Sequence, residues 1–305
     1  MAAPQILLSI VSPIYGVSTE FVELADAMPV NFPGVEWIVV HDDDGTENRN
    51  GDLAEPSLPA YANLLAGDGE GATAAVNKGI AAAQGRFLLF LMGDDFLVPD
   101  GITELLAVLD TDDDTDVFSG YVDFFAGAPG KFRGLEASPP TLSWSRILYG
   151  RPCLGSRVFR ADLFKKHGPF DTNYLYCSDR EFLARIFMSG IVERGVRIPL
   201  YRYRVHGGSQ TMGGDPGRIA RYISQHVRLA EWLQDQSDTE RDRMREWQAY
   251  ETARLIYFLM ASGQPIRAIC AALHQSVRQP RWLFKLKRAR TIARNIAAQD
   301  SVLGP

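Results

Sequence analysis

One stretch, GRFLLFLMGDDFLVPDG from Gly85 to Gly101, constrains the fold more than any other part of the chain. Its apolar run, Phe87 to Met92, lacks the polar alternation of a strand with one wet face and is too short to span a membrane. It predicts a central strand covered on both faces, as in a parallel sheet. Gly93 ends the run, the adjacent carboxylates Asp94 and Asp95 follow, and Pro99-Asp100-Gly101 offers a helix start. In open α/β sheets, ligands bind beyond the carboxyl ends of the strands, where this acidic pair would sit. Two carboxylates that close repel unless a proton or cation intervenes, so a divalent ion with a taste for oxygen ligands, Mg²⁺ or Mn²⁺, is the expected third party. The plainer alternative is a strand end closed by a turn, with Asp95 solvated.

The flanking sequence repeats the pattern. Residues 5–14, QILLSIVSPI, predict a first buried strand, and Ser18 or Thr19 can cap a helix presenting Phe21, Leu24, Ala25 and Met28 on one face. A second strand over 35–40 ends in His41-Asp42-Asp43-Asp44. Strand, helix, strand, each ending in polar residues, predicts a doubly wound α/β sheet. Residues 48–59 read as loop, and the Gly/Pro-rich segment 126–141 as a loop or hairpin long enough to cover a site. Gly67-Asp68-Gly69-Glu70-Gly71 leads into a small-residue helix, 72–83, that holds Asn77 and Lys78. No acid stands about 20 residues on, so this glycine spacing is not read as a dinucleotide motif. Further strands are expected over 117–125, 153–159 and 198–205, with helices over 101–109, 142–150 and 161–167. Another helix begins near Asp179 and stops at Gly190. From Pro216 onward the pattern is helical throughout: 217–234, 239–262, 265–276 and 281–298. A domain of residues 1–214 followed by a helical region, 215–305, is the expected organisation.

Charge is distributed unevenly. Residues 1–150 hold 6 basic and 23 acidic side chains, whereas 151–305 hold 26 basic and 14 acidic. An acidic half suits cation handling and a basic half suits phosphates or an anionic surface. Between 252 and 299 there are nine basic side chains and no acidic one, and Trp282, Leu286, Ala289, Ala293 and Ile296 share one helical face. A basic amphipathic helix of this kind suggests peripheral contact with anionic lipid through 281–298. The same stripe also suits packing on the main domain or on a second subunit of a homo-oligomer. Cys153, Cys177 and Cys270 are odd in number and form no CxxC pair, which fits a reducing compartment and argues against a zinc site. The opening apolar stretch lacks a basic flank and reads as a strand rather than a signal peptide. A cytoplasmic protein, at the inner face of the membrane if the basic helix meets lipid, is expected.

Three acidic clusters at strand ends or a helix start stand out: Asp42 to Asp44, Asp94 with Asp95, and Asp179. His206, beside glycines, adds a metal or phosphate ligand. Five stretches then resemble the family 2 glycosyltransferases of GT-A fold: ILLSIVSPIYG, EWIVVHDDDGTEN, AAVNKGIAAAQGRFLLFLMGDD, FRADLFKKHGPFDTNYLYCSDREFLARI and YRYRVHGGSQT. They fall in family order across residues 6–211.

The resemblance implies an open, twisted, mostly parallel sheet flanked by helices, with a helical C-terminal region. It implies transfer of a sugar from a nucleotide-diphosphate sugar, by analogy a UDP-sugar, to a saccharide or lipid-linked acceptor, with inversion and in cell-surface polysaccharide or glycoconjugate synthesis; nucleic acid has no part. By position, Pro13, Tyr15 and the acids Asp42, Asp43 and Asp44 would line the nucleotide pocket. Which acid meets the base stays open. Asn77 and Lys78 would lie near the ribose and phosphates, Asp94 and Asp95 where the family's DxD motif holds Mg²⁺ or Mn²⁺, and Arg204 and His206 near the diphosphate. Asp179 would be the catalytic base, although an aspartate there also suits a helix cap. Met92 replaces the motif's first aspartate and cannot ligate a hard cation, so metal dependence is open. A non-catalytic sugar-nucleotide-binding or assembly protein is the alternative. A nucleotidyltransferase would need a glycine- and arginine-rich phosphate loop where SPIYGVSTE stands.

Overall fold

The apolar run at Phe87 does form the middle of a sheet. In the computed structural model, which describes residues 6–42, 57–125, 132–136, 141–150, 154–205 and 215–300, strands run in the order β3-β2-β1-β4-β8-β6-β9-β5, with β7 paired to β6. Strands β1 (Leu8–Ile14), β2 (Val35–His41), β3 (Ala62–Ala66) and β4 (Phe87–Phe90) form a parallel block, in which Val11 of β1 registers with both Ile38 and Phe90. Beyond β4 the sheet becomes mixed. Strand β8 (Arg157–Arg160) pairs antiparallel to β4 and to β6 (Val117–Phe125), while β6 runs parallel to β9 (Glu193–Arg204). Two-residue β5 (Phe96–Leu97) and β7 (Phe132–Glu136) complete it.

Successive residues of β4 point to opposite faces, which explains the continuous apolar run. Phe87 and Leu89 join a core with Trp37, Phe21 and Leu24 of α1 (Thr19–Ala27), and Ile102 and Leu105 of α3 (Pro99–Thr111). Leu88 and Phe90 face a second core with α4 (Trp144–Tyr149), α5 (Asp162–His167) and α6 (Ser178–Met188). Helix α2 (Ala72–Ala82) crosses β1 closely: a Cβ on Gly79 would lie 2.4 Å from Val11 Cγ1. Helix α1 starts where its cap predicts, with Ser18 Oγ accepting from Phe21 N, and its buried side chains are those the periodicity selected. An aromatic cluster fixes α6 against the sheet. Phe164 and Phe182 stack at 4.6 Å between centroids, and Phe170 lies 5.2 Å from Phe90 and 4.9 Å from Phe182.

The C-terminal helices α7 (Pro216–Gln236), α8 (Arg241–Ala261), α9 (Pro265–Arg278) and α10 (Trp282–Asp300) follow. Leu229 and Leu233 of α7 and Met244 and Trp247 of α8 belong to the same core as Phe90 and Phe182. The stripe Trp282, Leu286, Ala289 and Ile296, which from sequence suits either a lipid surface or packing on the rest of the chain, is buried in the second way: α10 packs on α8 and α4, with Trp282 and Leu286 against Ala249. Among the described residues no helix is long and apolar enough to cross a membrane.

Candidate active site

The carboxyl ends of the parallel strands form one rim, and it is built largely by chain segments gripping each other. Asp42 follows β2; its backbone N–H donates to Ile14 O at the end of β1 (2.8 Å), and Gly67 N, after β3, donates to His41 O (2.7 Å). The Asp42 carboxylate is buried and accepts from Gly69 N at 2.9 Å and Gly71 N at 2.7 Å. Gly69 and Gly71 have φ of +71° and +92°, a region that favours glycine, so the sequence GDGEG is a turn wrapped around one carboxylate. Asp42, one of the three acids expected to line the nucleotide pocket, thus has both oxygens already accepting from this turn, and a base would have to share a remaining lone pair. Asp43 and Asp44 lie outside the described residues.

Pro13 is buried in β1, and Tyr15, just past it, is 45% exposed. Asn77 is spent on the main chain, its Nδ2 donating to Phe170 O (2.8 Å) and its Oδ1 accepting from Phe170 N (3.0 Å). Lys78 forms an exposed ion pair with Asp68 at 2.7 Å.

After β4 the chain turns through Met92 to Asp95, with Asp95 N donating to Met92 O (3.1 Å). Asp95 is 2% exposed. Its Oδ2 accepts from the Tyr201 hydroxyl and its Oδ1 from Arg204 N, both at 2.6 Å. Burial, reinforced by the neighbouring Asp94 charge and opposed by those two donors and the Arg204 guanidinium, pushes the Asp95 carboxyl up to about 8. Arg204 completes the clamp: Nε donates to Asp94 O (2.8 Å), Nη2 pairs with Glu23 (2.6 Å), and the guanidinium lies 5.1 Å from the Phe96 and Phe125 rings. The end of β9 therefore holds the acidic turn in place.

This donor set does not by itself fit a divalent ion. Both Asp95 oxygens already accept from the chain's own donors, Met92 is packed against the aromatic core, and His206 lies outside the described residues. Among the described residues no three His, Cys, Asp or Glu side chains gather as a metal site would require.

The third acidic feature reaches the same rim through α2. Thr73 Oγ1, in the first turn of α2, lies 3.3 Å from Ser178 Oγ at the start of α6. Asp179 is next; its Oδ1 accepts from Arg180 N at 2.6 Å, and burial raises its pKa against the opposing charge of Arg180. Burial also pushes the Cys177 thiol up, so a thiolate nucleophile is disfavoured here. The Arg180 side chain anchors the helix end. It donates to Ile147 O and Gly150 O at the end of α4 and lies over the Trp247 ring at 5.7 Å. Behind it, buried Glu251 pairs with Arg254 within α8 (2.9 Å) and its charge favours that of Arg180, while His226 of α7, 3.4 Å from Glu251, is held neutral by burial, which lowers its pKa to about 4.

Asp94 and Asp95 are thus tied to Arg204 after β4, Asp42 is held by the turn before α2, and the start of α6, which carries Asp179, meets the first turn of α2. Sequence reasoning missed Glu23, Thr73 and Tyr201, and the glycines that hold Asp42. The GxGxG spacing was the available signal for the glycines; for Tyr201 only strand alternation hinted at an inward position.

Comparison with known proteins adds the following. The family model for glycosyl transferase family 2 matches residues 9–176. The Bacillus subtilis protein EpsH is 26% identical over 186 residues, 56% of this chain and 53% of that one, so the match spans about half the length of that relative. The Escherichia coli UDP-Glc:alpha-D-GlcNAc-diphosphoundecaprenol beta-1,3-glucosyltransferase WfaP is 24% identical over 206 residues, 67% of this chain and 79% of that one. Among solved structures, S. aureus TarS 1-349 in complex with UDP-GlcNAc superposes with a TM-score of 0.57 and 17% identity over 96% of this chain and 83% of that one, a likeness of fold.

Proposed function

The chain belongs to glycosyl transferase family 2, and from that premise we propose that it moves a sugar from a nucleotide-diphosphate sugar to an acceptor hydroxyl with inversion. In this reading the donor lies on the rim beside Asp42 and the Asp94 turn, and the acceptor approaches from the α6 side. Asp179 takes the hydroxyl proton as that oxygen attacks the anomeric carbon, and the bond to the diphosphate breaks on the opposite face. One displacement inverts that carbon and needs no covalent intermediate. A carboxyl raised above the ordinary aspartate range by burial is a better base than a solvated one, because its conjugate acid is weaker. Arg204 and Tyr201 hold the Asp94 turn rigid under the leaving group, and this placement supports pre-organisation of the donor site. By themselves the described residues do not gather a divalent-ion site, and the roles given to Asp179, Arg204 and Tyr201 do not depend on one.

A UDP-sugar donor and a lipid-linked acceptor in cell-surface glycan synthesis are the proposed substrates, by likeness to WfaP, whose name carries both, and to TarS, solved with UDP-GlcNAc. The observation that supports the reading is that, in a family-matched sheet, the turn holding Asp42 leads into α2, whose first turn meets the start of α6 through Thr73 and Ser178. A thermal-shift screen of UDP-, GDP- and dTDP-sugars, each with Mn²⁺ and with EDTA, followed by nucleotide-release assays with the best donor, tests it. Stabilisation by one sugar nucleotide together with acceptor-dependent release of its nucleotide is expected. Binding without release from any acceptor would favour the second reading, a non-catalytic sugar-nucleotide-binding protein, to which Met92 and the engaged Asp95 lend weight.

A further inference from the structure

Helix α9 turns its apolar side away from the protein. Ile266, Ile269, Leu273 and Val277 are 76%, 57%, 61% and 81% exposed. At about 100° per residue they fall within one arc of roughly a quarter turn. The opposite side packs on α8 through Ala268 and through Gln275, which accepts from Thr252 Oγ1 at 3.4 Å. The packed side is thus small and polar, and the aliphatic side is open. Just after the helix, Leu283 and Phe284 are also exposed, the latter at 82%, as are Tyr257 and Met260 near the end of α8. Isolated exposed aliphatics need no explanation, but a stripe along three turns of one helix marks a surface with a partner.

Charge decides the partner. Arg267, Arg281, Lys287, Arg290 and Arg294 are exposed, and none has an acidic partner among the described residues. The sequence offers no acidic side chain between 252 and 299 to neutralise them. A two-fold dimer through this face would set the same patch against itself, cation against cation. An anionic lipid surface instead meets both requirements, since its headgroups carry phosphate and the layer beneath accepts aliphatic side chains.

We propose that α9 and the turn into α10 form a membrane-docking surface, in which Ile266, Ile269, Leu273, Val277 and Phe284 enter the boundary between headgroups and acyl chains while the unpartnered arginines and Lys287 meet lipid phosphates. This is a different surface from the buried stripe of α10. It rests on exposure and charge alone and stands or falls independently of the transferase reading.

Flotation of the full chain with vesicles of phosphatidylcholine, and of equimolar phosphatidylcholine and phosphatidylglycerol, tests it. Wild type is expected to float with the anionic vesicles, to remain behind with the neutral ones, and to be released by salt. Leu273→Glu with Val277→Glu places carboxylates in the stripe at exposed positions and should lower the bound fraction about tenfold or more. Arg290→Glu with Arg294→Glu should abolish the preference for phosphatidylglycerol while leaving the circular-dichroism spectrum unchanged. The proposal is overturned if wild type floats with neither vesicle, or if the stripe variant binds as wild type does. It is equally overturned if sedimentation velocity finds a dimer that the stripe substitutions dissociate and the vesicle preference is absent.

Discussion

Asp179 lies inside the first turn of α6, whose N-cap position is Cys177, so replacing it by Asn separates a catalytic base from a residue that only braces the helix start, because the two roles make different demands on the same oxygen. The cap-like contact is the 2.6 Å bond from Arg180 N to Oδ1, and an Asn carbonyl oxygen can accept it in the same geometry. Asn and Asp are about equally good at helix starts, and the lost charge at a helix N-terminus is worth only about 0.3–1 kcal/mol. Burial disfavours the charge in any case, so folding stability should stay within about 1 kcal/mol of wild type. Catalysis should behave otherwise. Proton removal by a placed base contributes about 10²- to 10⁴-fold, or ~3–5 kcal/mol at the transition state, and an amide supplies none of it. Nucleotide release at saturating donor, followed by a coupled assay, should therefore fall by about two to four decades, with the donor's affinity unchanged. The pH profile adds a second readout. Asp179 must be ionised to act and burial raises its pKa, so wild-type kcat/KM should rise with pH through a point above the ordinary aspartate range, and the Asn variant should lack that limb. Turnover within about threefold of wild type, with the acid limb retained, would refute the assignment and leave Asp179 as a first-turn acid that braces the helix start.

Three further outcomes follow from the same geometry. Asp42→Ala removes two charge-assisted bonds from glycine amides and should lower stability by about 2–4 kcal/mol in urea titrations, with weakened sugar-nucleotide binding; a loss below about 1 kcal/mol would mean that the glycine turn stands without it. Asp95 is raised from 3.8 to about 8, so the folded chain holds its proton more tightly than the unfolded chain, and the stability it contributes is full below the lower value and lost as pH climbs through the upper. In EDTA, wild type should lose stability relative to Asp95→Asn across that window by up to about 1.4 kcal/mol per pH unit, and parallel curves for the two proteins would count against it. Gly101→Ala would put a Cβ 1.9 Å from Pro199 O, forcing α3 off β9, so the melting temperature should drop by several degrees while Gly217→Ala, whose new Cβ would have its nearest neighbour at an ordinary 3.5 Å, moves it less.

Much of the fold was legible in the linear pattern. The strands at Leu8, Val35 and Phe87 announce themselves because burial on both faces demands unbroken apolar runs, and α1 shows its Ser18 cap and its buried Phe21, Leu24 and Ala25 directly. Strands β3 and β5 did not. ANLLA is largely exposed at the sheet edge and carries little apolar signal, and β5 has two residues that are extended only because β9 pairs with them. The acids of the site were visible as strand-end clusters, but their states were not. Nothing near Asp94-Asp95 in sequence indicates that Asp95 is dry and bonded to Tyr201 and Arg204, which arrive from more than a hundred residues away.

Helical periodicity likewise marked the last helices without saying which side of each would be covered. In α10 the apolar stripe is buried; in α9 it is exposed, since α8 accepts Ala268 and Gln275 and leaves the larger aliphatics outside. The sequence by itself determined where strands, caps and acidic turns would form, because these depend on neighbours a few residues apart. Which carboxylate is solvated, which is gripped by amides and which face of a helix meets water depend on surfaces brought together from distant parts of the chain, and only tertiary packing decided them.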